Sequence, residues 1–157
     1  MGVAKAVFWL ALAVWLGEIV FFSFVVAPSV FRALPQDVAG QVVGVIFPRY
    51  YALGAVAGAI AMIAALALRA GTSATRPWSA AVLMLVLMLL ATLYAGRVLQ
   101  PRAQALRPQL REAVVDPAVR AEFDRLHRLA VQLNGGVLLL GIVTVCVAAA
   151  SFELPRP

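Results

Sequence analysis

Four long apolar runs, at residues 7–27, 51–68, 78–96 and 129–152, order this chain, and the polar residues that interrupt them gather toward one end. A run of about 20 apolar residues lets a helix cross roughly 30 Å of hydrocarbon at 1.5 Å per residue. Lipid offers no partner to an unpaired backbone group, so each run is expected to span as a helix. The pattern predicts an all-α membrane protein, a four-transmembrane-helix bundle forming a single domain over residues 1–157.

The connections carry structure of their own. Between the first two runs, Val38, Val42, Val45 and Ile46 recur at helical spacing opposite Gln36, Asp37 and Gln41. Pro35 suits the first turn of a helix. Pro48 removes a backbone donor and crowds the preceding turn. The expected form is a short interfacial helix over 35–47 that bends near Phe47-Pro48 into the second span.

The third helix should extend beyond its apolar run, since Tyr94, Arg97, Pro101 and Gln104 keep helical spacing, with Pro108 ending it. Asp116-Pro117 pairs an N-cap acid with a first-turn proline, so a fourth helix of about 36 residues should begin there and stand several turns clear of the bilayer. Those turns carry an alternating charge ladder of Arg120, Asp124 and Arg128, read as solvated, and a second face of Phe123, His127, Ala130 and Asn134. In the second span Gly54 and Gly58 form a GxxxG. Such a face lets helices approach closely, either within the bundle or as a homo-oligomer contact.

Composition agrees: 64% of residues are hydrophobic and 13% charged, against roughly 25% charged in soluble domains. The first run also admits a signal-peptide reading, with Lys5 as its basic region and Val25-Val26-Ala27 as a cleavage site. Glu18 within the run, its length and Pro28 beyond the cut argue against that reading. The lone Cys146 allows no intrachain disulfide and is expected to be a small buried hydrophobe.

Four spans put both chain ends on one face, side A, together with the connection around Arg69 and Arg76. Side A has Lys5, Arg69, Arg76 and Arg156, whereas side B has Arg32, Arg49, Arg97 and the arginines from Arg102 to Arg128. By the positive-inside rule the charged side B connections are expected in the cytoplasm and the chain ends outside. The formal net charge of +6 therefore needs no nucleic-acid partner, and no motif for one is present.

Several segments resemble the transmembrane protein 205 family. Phe31-Arg32-Ala33-Leu34-Pro35, Gly40, and Ile46-Phe47-Pro48 followed by Tyr50 resemble its loop and second-helix signature. Leu90-Ala91-Thr92, Arg97, Leu99 and Pro101-Arg102 continue the likeness, as do Asp116-Pro117, Phe123, His127 and Asn134. The chain departs from eukaryotic members at Ala95 and Arg49 and has a shorter connection between helices three and four. The resemblance implies a four-helix integral membrane protein of poorly defined activity; the association of the eukaryotic namesake with platinum-drug resistance suggests transport or trafficking.

Glu18 sits roughly 13 Å from the side B end of its span by helical rise. A charge at that depth costs several kcal/mol unless paired or neutralised. A polar pocket opening to side B is expected between the first, third and fourth helices, roofed by residues 31–48, with Glu18 at its floor. Arg32, Tyr94, Arg97, His127 and Asn134 are its other candidate residues. The bland alternative is a protonated Glu18, an Arg97 that snorkels to headgroups and an Asn134 that bridges helices.

The pocket points to binding or transport of a small molecule, ion or metal. Alternatives are a structural or partner-binding subunit whose basic cap meets anionic lipid, and a haem- or metal-binding enzyme component. One histidine is too few for the usual ligand sets, and no nucleophile, phosphate-loop or zinc motif occurs, so no enzyme, cofactor or metal is expected.

Overall fold

The computed structural model describes residues 2–72, 75–112 and 114–151. Four helical stretches, Gly2–Ala33, Gln36–Ala70, Thr75–Arg111 and Pro117–Ala150, are each long and apolar enough to cross a membrane. The protein is a multi-pass integral membrane protein built as a four-helix bundle. Helix α1 (Gly2–Phe21) passes through a π-helical turn at Phe22–Val26 into α2 (Ala27–Ala33), and α3 (Gln36–Ala70) returns. Helix α4 (Thr75–Tyr94) passes a second π turn at Ala95–Leu99 into α5 (Gln100–Leu106). After a 3-10 turn at Gln109–Arg111, α6 (Pro117–Ala150) completes the bundle. Asp116 caps α6 by accepting a 2.8 Å hydrogen bond from the Ala118 amide, with Pro117 opening the first turn. The span end expected at Phe152 and the side A charge at Arg156 lie outside the described residues.

Both π turns have one physical cause. Pro28 and Pro101 each stand second in the next helix along the chain, where a proline lacks an N–H and its ring crowds the carbonyl four residues back. The chain widens just ahead of them: the Ala27 amide donates to Phe22 O, and the Gln100 amide to Ala95 O. One extra residue per turn rotates everything beyond it by about 100° relative to an unbroken α-helix.

The first and third spans share one plan. Buried Phe8, Leu12, Trp15, Ile19 and Phe22 in the first, and buried Ala81, Leu85, Met88, Thr92 and Ala95 in the third, share the spacing i, i+4, i+7, i+11, i+14. That is a heptad seam, and each seam ends on the first residue of its π turn. Helix α3 packs against both α1 and α4, α6 packs against α4, and a lighter α1–α6 contact closes the ring.

Large side chains on α1 fill the space left by small ones on α3. A Cβ on Gly58 would stand 2.6 Å from the Trp15 ring and 2.7 Å from Leu89, and one on Gly54 2.6 Å from Glu18 Oε1. Gly54 and Gly58 are buried in this contact, so the GxxxG packs within the bundle, one of its two expected uses. Cys146, expected buried, is exposed, because the α6 seam runs through Val137, Gly141, Thr144 and Ala148 instead.

Residues 35–47 do not form a separate interfacial helix. They open α3, a continuous helix of 35 residues with Pro48 inside it. At about 50 Å this helix exceeds the hydrocarbon thickness by roughly 20 Å. The acceptor that Pro48 leaves without its backbone donor is the Gly44 carbonyl, four residues back. Gln104, reaching across from α5, donates to that carbonyl at 2.8 Å. A neighbouring helix thus completes the interrupted ladder, which is how a proline is tolerated inside a membrane helix.

Candidate functional site

Where α1 meets its π turn, all four membrane helices converge on a narrow cavity. Its polar lining is Glu18, Tyr50, Tyr51, Thr92 and Asn134, and Trp15, Ile19, Ala91, Ala95, Leu133 and Val137 close the rest. The cavity has about 10 Å³ for water centres, close to the minimum for a single water molecule.

Three helices are stitched together beside it. The Tyr50 hydroxyl on α3 donates to Asn134 Oδ1 on α6 at 2.6 Å, and Asn134 Nδ2 donates to Ser23 Oγ at 3.2 Å. Ser23 lies inside the first π turn, so the irregular backbone sets the position of the hydroxyl that ends the chain of hydrogen bonds. Phe22 packs against Phe47 and Tyr50 with ring centroids 5.2 and 5.0 Å apart, and Phe47 stacks on Tyr51 at 5.8 Å. These aromatic rings fix the Tyr50 and Tyr51 side chains at the cavity wall.

Glu18 is the outlier. Its carboxyl lies against Gly54, where any side chain on α3 would collide with it, and Oε2 is buried without a hydrogen-bond partner. Among the described residues no Lys, Arg or His forms an ion pair with Glu18; the Arg125–Glu122 pair, at 2.9 Å, joins exposed side chains on α6. An ionised carboxylate in that setting would carry the cost of desolvation with no compensating charge.

Of the residues singled out in the sequence, Glu18 and Asn134 meet at the cavity, and Tyr50, expected only in the kink motif, joins them. Arg32, Arg97 and His127 do not line the cavity, and Tyr94 is 44% exposed. His127 lies parallel to Phe123 on α6, with ring centroids 6.4 Å apart. The Phe31, Arg32 and Pro35 part of the loop motif is exposed and does not line the cavity, while Phe47 supports it. Arg97 lies inside the π turn that begins at Ala95, which breaks the α-helical spacing expected there, whereas Tyr94, just ahead of that turn, ends α4 on an exposed face. Trp15, Ser23, Tyr51 and Thr92 were not anticipated. Ser23 and Thr92 are small polar interruptions of apolar runs, a sequence cue to helix–helix hydrogen bonding in membranes. Among the described residues no group of three or more His, Cys, Asp or Glu converges as a metal site would require.

A family profile matches residues 10–112. The chain belongs to the DUF4149 family, a domain of unknown function. The DUF4149 match includes Glu18, Ser23, Tyr50, Thr92 and both π turns, and leaves Asn134 on α6 outside it. No curated protein and no solved structure matches the chain.

Proposed function

We propose that this DUF4149 protein is a membrane-embedded ion-binding protein in which Glu18 holds one positive charge, a proton or a small monovalent cation exchanged for it, and through which that ion is moved. The observation that carries the reading is the buried Glu18 oxygen without a partner, facing a cavity lined by hydroxyl and amide groups. A carboxylate compensated by a proton or a cation avoids the isolated charge that the bilayer penalises. The cavity volume favours a bare ion or one water over an organic molecule. Oxygen donors suit a hard cation better than a soft metal. The arginine-rich connections support placing side B in the cytoplasm, and the resemblance to the transmembrane protein 205 family is compatible with transport.

The test uses purified protein in detergent, titrated with Na⁺ and with acid in weakly buffered solution while a dye reports proton exchange. Wild type is expected to exchange one proton per chain at this site. Glu18→Gln, which keeps size and polarity, should lose that step while remaining folded. Equal exchange by folded Glu18→Gln refutes the assignment.

A further inference from the structure

Toward the side B end of the bundle, a second and larger cleft of about 320 Å³ opens between the start of α3 and α5, lined in part by Gln41, Gln104, Arg107 and Arg111. Glycines on α3 shape it. A Cβ on Gly40 would stand 2.5 Å from Arg107 Nη1, and one on Gly44 2.5 Å from Gln104 Nε2. This second GxxxG, Gly40 to Gly44, makes room for two polar side chains where Gly54 and Gly58 admit a carboxyl and an indole. Arg107 also lies over the Phe123 ring, 5.7 Å from its centroid. The arginine is thus held from two sides, by α3 and by α6.

Its charge has no counterpart. Arg107 Nε is buried without a hydrogen-bond partner; burial first, and the like charge of Arg111 second, disfavour the protonated guanidinium. Among the described residues neither arginine forms an ion pair with a carboxylate. Two guanidinium groups sharing a cleft, one of them packed in place, repel each other unless an anion lies between them. Guanidinium forks match the oxygens of a phosphate, and Gln41 adds a neutral donor or acceptor at the wall. Gly44 precedes the second apolar run by about seven residues, roughly 10 Å of helix, so the cleft lies at headgroup level.

We propose that this cleft is a phosphate-binding site, taking either the headgroup phosphate of an anionic lipid or a soluble phosphate, with Arg107 and Arg111 as its cationic pair. The proposal is independent of the ion site at Glu18. It predicts selective recognition rather than the diffuse attraction that any basic surface has for anionic membranes.

Binding is measured on the full chain in neutral detergent, by titrating inorganic phosphate, short-chain phosphatidic acid and short-chain phosphatidylcholine and recording thermal stability. Stabilisation by phosphatidic acid over phosphatidylcholine assigns a lipid headgroup; stabilisation by inorganic phosphate as well assigns a site open to soluble phosphate. Arg111→Gln, on an exposed side chain, should weaken the effective ligand at least tenfold, and Arg107→Lys should weaken it less than Arg107→Gln. Arg120→Gln, on the outer turns of α6, should leave affinity unchanged. Absence of stabilisation by any phosphate, or an Arg111→Gln affinity equal to that of Arg120→Gln, overturns the proposal.

Discussion

Removing the Gln104 side chain should expose the defect that Pro48 creates in α3. In the native protein the Gly44 carbonyl cannot be reached by an amide at position 48, and it accepts from Gln104 Nε2 at 2.8 Å instead. Gly44 is buried, so water is a poor substitute. Gln104→Ala therefore leaves a buried carbonyl short of its donor, a loss of about 1–3 kcal/mol. Pro48→Ala restores an N–H whose i−4 acceptor is that same carbonyl. In the Pro48→Ala background, Gln104→Ala should then cost less than about 1 kcal/mol, leaving a coupling of about 1–2 kcal/mol between the two sites. The assay is a double-mutant cycle on reversible unfolding in mixed micelles, with all four proteins measured under one condition. Additivity within about 0.5 kcal/mol would refute the reasoning, because it would mean that the side chain and the missing amide do not serve the same oxygen.

The packing and the polar chain lead to two more expected outcomes. Gly58→Ala should destabilise by about 1–3 kcal/mol through overpacking against Trp15 and Leu89, whereas Gly135→Ala, with nothing within 4 Å of the new Cβ, should be neutral or stabilise by up to about 1 kcal/mol; paired unfolding curves decide it, and equal effects would contradict the close helix approach. Tyr50→Phe deletes the donor to Asn134 Oδ1 and should cost about 0.5–1.5 kcal/mol; retention of full stability by this variant would show that the Tyr50–Asn134 link is energetically idle.

How much of this was legible beforehand differs between backbone and site. Asp116-Pro117 announced the start of α6, because an N-cap acid and a first-turn proline act through local geometry alone. Pro48 was equally visible, yet its effect was misjudged. Local sequence shows that a donor is missing, but not that Gln104, sixty positions from Gly44, supplies another. Gly54 and Gly58 marked a close contact without saying which helix would fill it, and Gly40 with Gly44 fell in the expected interfacial helix without being read as a packing face.

The sequence by itself determined four spans, the extension of their helices beyond the apolar runs, and an acid at Glu18 inside a span that must be paired or neutralised, because these depend on length, apolarity and the cost of charge in hydrocarbon. Only the tertiary structure decided which polar groups meet. Lipid-facing and core-facing residues are alike apolar, so hydropathy does not identify the inward face, and each π turn rotates the remainder of its helix by about 100°. Ser23, inside the first π turn, meets Tyr50 on α3 and Asn134 on α6 beside Glu18, while Arg97, inside the second π turn, and His127, on α6, do not line the cavity.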